Sequence, residues 1–337
     1  MRINNELSLK ILLSCPNDGQ TNNFILNGLQ SLGHECYFID HRVNIDQAYQ
    51  FAESFIAEEQ IDLMLVLHLV NTQTYSVKMI EDLKYKNPQT KYAAWHLDTR
   101  IVEHSPEGGS IHFVKDFLPF TKLVGVYDYF FTISREIRDS LRMSGVNAHL
   151  LNEGYDEFAP IFDLPKIYDV SFIGQFGHGL INKDRFPYLE KISKICKLKL
   201  FGSYLSGKQS LMPFYAKRQT YNSVDHSYIV AQTHINWSLG IKAEALDTFS
   251  ARGYRILGAG GFLLHNRTEL LEEYFVDGKH LAMYDGVDEC LDKIDFYLKN
   301  PDLMKDIAAQ GQLLVSQKYK FSDSMTTMLD IIAGRHE

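Results

Sequence analysis

Short apolar runs, almost free of polar interruption, recur along the chain and are separated by stretches with the spacing of an amphipathic helix. The first run, Leu9-Lys-Ile-Leu-Leu-Ser14, is closed by the polar turn Cys15-Pro-Asn-Asp-Gly19. A helix over about Thr21–Leu32 stops at Gly33, and His34–Asp40 supplies the next strand. The series continues through a helix at Gln47–Glu59, a strand at Ile61–His68, a helix at Tyr75–Lys86 and a strand at Tyr92–His96. Tyr129–Ser134, a helix to Met143 and a strand at His149–Leu151 complete it. Strands apolar on both faces and separated by helices predict a parallel sheet covered on both sides.

The rhythm breaks over residues 152–167, where prolines appear and no period is visible. A second series begins at Tyr168-Asp-Val-Ser-Phe-Ile-Gly174. Its further strands are expected at Leu198–Phe201, Thr233–Trp237, Phe262–His265 and His280–Tyr284, with helices at Val287–Leu298 and Pro301–Lys318. The pattern predicts an α/β chain of two Rossmann-like, doubly wound domains facing across a cleft, with ligands at the carboxyl ends of the strands. Residues 1–155 form the first domain, 156–167 the linker and 168–320 the second domain. Residues 321–337 carry a final helix, about Ser322–Ala333, expected to pack back on the first domain.

The 337 residues suffice for two domains that each bury a core. A net charge of -8 argues against general nucleic-acid binding, which needs a basic surface. Cys15, Cys36, Cys196 and Cys290 are far apart and form no CxxC pair, so they read as buried thiols of a reducing compartment. The start lacks the apolar core of a signal peptide, and no apolar run approaches the ~18 residues that span a bilayer. A cytoplasmic location is expected.

Two stretches carry the candidate chemistry of the second domain. Ser250-Ala-Arg-Gly-Tyr-Arg255 opens a helix, with Asp247 or Thr248 as its expected N-cap. A helix start with Arg252 in its first turn suits an anionic group such as a diphosphate. The exit Gly258-Ala-Gly-Gly261 turns the chain into Phe262-Leu-Leu264, which on its own is a helix C-cap. Gly174-Gln-Phe-Gly-His-Gly179 follows a strand and lets backbone N–H groups approach phosphate oxygens; a ligand-free βα loop is the competing interpretation. The loop lacks GxGxxG spacing and so does not indicate a nicotinamide site. Arg185 is expected one turn into the following helix, facing either the loop or solvent.

In the first domain Trp95-His-Leu-Asp-Thr-Arg100 ends a strand, where His96, Asp98 and Arg100 can reach a ligand. Asp98 is the candidate general base, with Asp18 in reserve and His96 behind them; capping and turn formation are the structural alternatives. The thirteen histidines show no ligand spacing, no Asp-x-Asp pair marks a strand end, and no Gly-x-Ser-x-Gly elbow appears. Neither a metal centre nor a serine hydrolase is indicated.

Taken in order, the second half resembles the C-terminal domain of the CgeB-like (spore maturation protein) group of GT-B glycosyltransferases. The matching pieces are Tyr168–Gly174, Leu200-Phe-Gly202, His234-Ile-Asn-Trp237, Ser250-Ala-Arg-Gly-Tyr254, Gly258–Leu264, Glu272–Gly278, Phe296–Pro301 and Ile307–Gly311. The first half fits more loosely. The resemblance implies transfer of a sugar from a nucleotide-diphosphate donor, held by the second domain, to an acceptor held by the first. It implies a donor site of Gly174, Gln175, Phe176, Arg185, Ser250, Arg252, Tyr254, Gly260 and Gly261, with no metal and no cofactor beyond the donor. The acceptor is a glycan, a lipid-linked sugar, a protein or a nucleobase. Relatives carry a ribose-binding glutamate where this chain has Arg255. The alternatives are a non-catalytic nucleotide-sugar-binding protein and a sugar-nucleotide epimerase of the same shape.

Overall fold

The computed structural model describes residues 8–16, 21–42, 44–68, 74–97, 117–174, 185–202, 209–216, 222–240 and 249–335. The chain divides into two compact units, one running to Glu153 and resuming at Phe321, the other spanning Gly154–Lys320.

The first unit is built on β1 (Lys10–Ser14), β2 (Glu35–Ile39), β3 (Leu63–His68), β4 (Lys91–His96), β5 (Tyr129–Thr132) and β6 (Ala148–Leu150). They form one parallel sheet in the order β2-β1-β3-β4-β5-β6. Its helices are α1 (Thr21–Ser31), α2 (Ile45–Glu59), α3 (Val77–Lys86), α4 (Phe117–Val124) and α5 (Arg135–Met143). The two-residue period of a strand sorts the core: Ile11, Leu13, Leu65 and Trp95 face one layer, while Leu12, Met64, Val66 and Ala94 face the other. Helix α4 was not expected from the sequence. Pro119 falls in its first turn, where a missing N–H is tolerated, so a residue that reads as a breaker sits at a helix start.

Side-chain caps define several helix starts. Asn44 Oδ1 accepts from the Asp46 and Gln47 amides before α2, and Ser76 Oγ accepts from the Met79 amide before α3. The far end of α2 is costlier. Gln60 has φ 54° and lets the Ile61 amide reach the Ile56 carbonyl at 3.1 Å, a place that favours glycine. Gln60→Gly is therefore expected to raise stability by about 0.5–1 kcal/mol, read as a higher urea midpoint at unchanged slope.

The second unit repeats the plan with β7 (Tyr168–Ile173), β8 (Leu198–Phe201), β9 (Thr233–Ser238), β10 (Leu263–Asn266) and β11 (Ala282–Tyr284). The parallel order is β11-β10-β9-β7-β8, so the winding direction reverses between β7 and β9. Its helices are α6 (Arg185–Ile192), α7 (Ser223–Ala231), α8 (Ala251–Gly258), α9 (Glu269–Tyr274), α10 (Gly286–Leu298) and α11 (Pro301–Lys318). A 3-10 turn at Gln209–Phe214 lies in the polar stretch after β8.

The last helix, α12 (Phe321–Ile332), belongs to the first unit, where it lies along α1. Phe321, Met325, Met328, Leu329 and Ile332 form its buried stripe. The Phe321 ring lies 5.3 Å from that of Phe24, and a Cβ at Gly28 would come within 3.3 Å of Met325. Tyr129 Oη donates to the Ile332 carbonyl and Ser324 Oγ to that of Asn152. None of the four cysteines is in a disulfide. Among the described residues no helix is long and apolar enough to cross a membrane.

Candidate functional site

The carboxyl ends of β7, β9 and β10 meet the start of α8 in the second unit. Phe172, fully buried on β7, is the centre of the arrangement. The Arg252 guanidinium lies 4.9 Å from the Phe172 ring centroid and that of Arg185 lies 5.2 Å from it. An apolar ring thus holds two cations that would otherwise repel. Arg252 Nη1 donates to Ser238 Oγ at 3.4 Å, and Arg185 Nη2 donates to the Leu239 carbonyl at 3.4 Å, so both are tied to the end of β9.

Backbone fit explains the glycines around them. A Cβ at Gly174 would stand 2.8 Å from Arg252 Nη2 and 2.8 Å from the Phe172 ring. Gly202, at φ 130°, approaches so closely that a side chain there would overlap the Gly174 carbonyl. Tyr215 Oη donates to the Gly202 carbonyl at 2.7 Å and steadies that crossing.

The helix start differs from expectation in its cap. Ser250, with φ -74° and ψ 150°, is the N-cap of α8, and its side chain makes no capping bond. Asp247 and Thr248 lie outside the described residues. With Ser250 as cap, Arg252 is the second residue of α8, within the turn where the helix dipole attracts anions.

Two histidines that sequence reasoning passed over sit beside the arginines. His265, the penultimate residue of β10, is 2% exposed and directs Nδ1 at the Asn266 carbonyl at 2.8 Å. Burial pushes its pKa down to about 4, and the charges of Arg252 and Arg185 act the same way. The Asn266 side chain in turn accepts from the Gly240 amide at 2.7 Å. His226 on α7 is equally buried and is pushed to about 3, by burial first and then by Arg255 and Arg252. A histidine near the end of an apolar strand at the carboxyl edge of a parallel sheet is the signal by which His265 could have been found.

The structure thus brings together Gly174, Arg185, Ser250 and Arg252. Arg185 is the first residue of α6 rather than one turn in, and it is buried rather than facing solvent. Tyr254 is not in this group. Its ring is core, 4.6 Å from Phe249 and 5.4 Å from Tyr319, because the position after Gly253 on α8 turns inward. Gly260 and Gly261 lie past the other end of α8, about 12 Å away along a helix of eight residues. There Gly260 turns the chain at φ 76° and Gly261 fits against Val230 and Asn236, so their role is the turn into β10. Gln175 and Phe176 lie outside the described residues, as do Asp18 and Asp98 of the first unit. His96 closes β4 of the first unit, 5% exposed, with its ring centroid 5.9 Å from that of Phe120 in a T-shaped contact.

Residues 187–330 match the glycosyl transferase-like family model. The matched stretch begins inside α6 and takes in Arg252 and His265. The fold is that of the GT-B glycosyltransferases. A glycosyltransferase from Rickettsia africae ESF-5 superimposes with a TM-score of 0.64 at 13% identity, over 97% of this chain and 98% of that one. HepE of Anabaena, solved in complex with UDP and glucose, gives 0.63 at 11% identity over 97% of this chain and 100% of its own. The sucrose-phosphate synthase of Thermosynechococcus elongatus gives 0.62 at 10% identity, over 97% and 100%. No curated protein matches the chain by sequence.

Proposed function

We propose that the protein is a glycosyltransferase that uses a nucleotide-diphosphate sugar, with the diphosphate held in the second unit by Arg252, Arg185, the amides at the start of α8 and the loop that begins at Gly174. The observation that carries this reading is the pair of guanidinium groups fixed on Phe172 beside a helix N-terminus. Breaking the sugar–phosphate bond leaves negative charge on the diphosphate. Fixed cations and oriented amides at that point lower the barrier without having to reorganise. In this reading they serve in place of a metal ion.

The family match over 187–330 supports a sugar-transfer role for this unit, and the UDP and glucose bound by HepE favour a uridine diphosphate donor. The first unit supplies the acceptor side: Asp98 is the proposed base, with Asp18 in reserve and His96 ranked behind them. Deprotonating an acceptor hydroxyl needs such a group within hydrogen-bond reach. Four cysteines without a disulfide fit a reducing, cytoplasmic setting.

The test is a calorimetric titration with UDP, GDP, ADP, UDP-glucose and GDP-mannose in the presence of EDTA. Micromolar binding of one nucleotide and its sugar is expected. Donor cleavage that then depends on added acceptor extract identifies a transferase, and conversion of the donor by itself identifies an epimerase. No binding by any of the five overturns the donor-site assignment.

A further inference from the structure

His265 occupies a place in the donor site that the proposed function leaves unused. Its Nδ1 points at a carbonyl oxygen, which only accepts, so Nδ1 carries the ring proton and Nε2 keeps a lone pair. Nε2 has no hydrogen-bond partner among the described residues. The ring is clamped on its other sides. Phe249 meets it edge to face at 5.6 Å, and Gly240 stands where a Cβ would lie 3.4 Å from Cε1. Arg252 from α8 and Arg185 from α6 are the charged groups acting on it. Ser238 of β9 and Met283 of β11 stand in register on either side, and neither is charged.

We propose that His265 takes up one proton at Nε2 when the diphosphate of a nucleotide sugar enters this site, so that a further positive charge appears only with the donor bound. The proposal rests on the second unit being the donor-binding unit. Burial and the two arginines both oppose a further cation at this position, which keeps the ring neutral near pH 7. A nucleotide-sugar diphosphate brings two negative charges, which offset the arginines. In a water-poor setting their attraction for an imidazolium then outweighs its cost of burial. The proton comes from solvent and stays on Nε2 as a hydrogen-bond donor to the diphosphate. When the sugar–oxygen bond breaks, its electron pair goes to the phosphate oxygen and the imidazolium steadies that charge. The proton returns to solvent when the nucleoside diphosphate leaves.

The experiment is calorimetry of UDP-glucose binding at pH 7 in phosphate and in Tris, whose different ionisation heats count the protons exchanged. UDP-glucose is the probe because its diphosphate has no proton to lose near neutrality. Uptake of about one proton per UDP-glucose is expected, with affinity rising up to about tenfold per unit as pH falls from 8 to 6. His265→Asn should bind with no uptake, and His226→Gln, next to the same arginines, should keep it. Should His265→Asn not fold, the wild-type ring nitrogen shifts decide the same point by moving from neutral to imidazolium values on adding UDP-glucose. Binding with identical heats in both buffers, or uptake surviving in His265→Asn, overturns the proposal and leaves the donor site standing. Absence of binding removes both.

Discussion

Arg252→Ala is expected to weaken UDP binding by roughly 10–100-fold. Hydrogen bonds to a charged group contribute about 1.5–3 kcal/mol, and each 1.4 kcal/mol is a factor of ten in affinity. Arg252 is the residue best placed for that loss. It stands in the first turn of α8, reaches Ser238 on β9, and passes so close to Gly174 that any side chain there would collide with it. Removing it also removes a cation from the face of Phe172, worth about 0.5–2 kcal/mol, so the melting temperature should fall by only a few degrees. Arg252→Lys should recover part of the affinity, since an ammonium restores charge without the two-pronged geometry. Calorimetry with UDP and a thermal melt by circular dichroism check both halves. Unchanged UDP affinity in a folded Arg252→Ala protein would remove the phosphate site from α8.

Much of this arrangement was legible in the residues, for physical reasons. The strands of both sheets announce themselves as apolar runs because their two faces are covered, and every expected strand is present, with ends that move by a residue or two. Ends move because the cap chemistry decides them: Ser76 places the start of α3 at Val77, where apolar spacing alone reaches back to Tyr75. The placing of Ser250 and Arg252 at a helix start was legible because the signals of a helix start are local. Tyr254, Gly260 and Gly261 were misplaced because neighbours in sequence are not neighbours in space on a helix. Two residues past Arg252 the side chain points into the core, and one helix length further on the chain is at the other end of the layer. The burial of Arg185 and the surroundings of His265 were illegible. Burial of an arginine depends on Phe172, on a different element, and the lowered pKa of His265 depends first on its burial and then on two arginines from α6 and α8. Such couplings exist only after the sheet is assembled.

The second unit is expected to lose about 4 kcal/mol of stability between pH 7 and pH 5. His226 and His265 are buried, with pKa values lowered from 6.5 to about 3 and about 4. In the unfolded chain both return to 6.5. Below that value the unfolded chain binds protons that the folded one refuses, so the contribution is complete above pH 6.5. It is lost as pH falls toward about 4. Each histidine contributes a slope of about 1.4 kcal/mol per pH unit in that window. Urea midpoints at half-unit steps of pH measure it, and His226→Gln should halve the slope. His41 of the first unit adds an independent loss: it is fully buried, bonded to Ser14 Oγ at 3.0 Å, and lowered to about 4, chiefly by burial. A flat midpoint between pH 7 and 5 would mean that the histidines are hydrated or already charged in the native protein. With saturating UDP-glucose the slope assigned to the second unit should fall by one histidine's share, since a ring that is protonated in the complex no longer favours the unfolded chain. Acid sensitivity and donor binding are in this way two readings of the same buried imidazole.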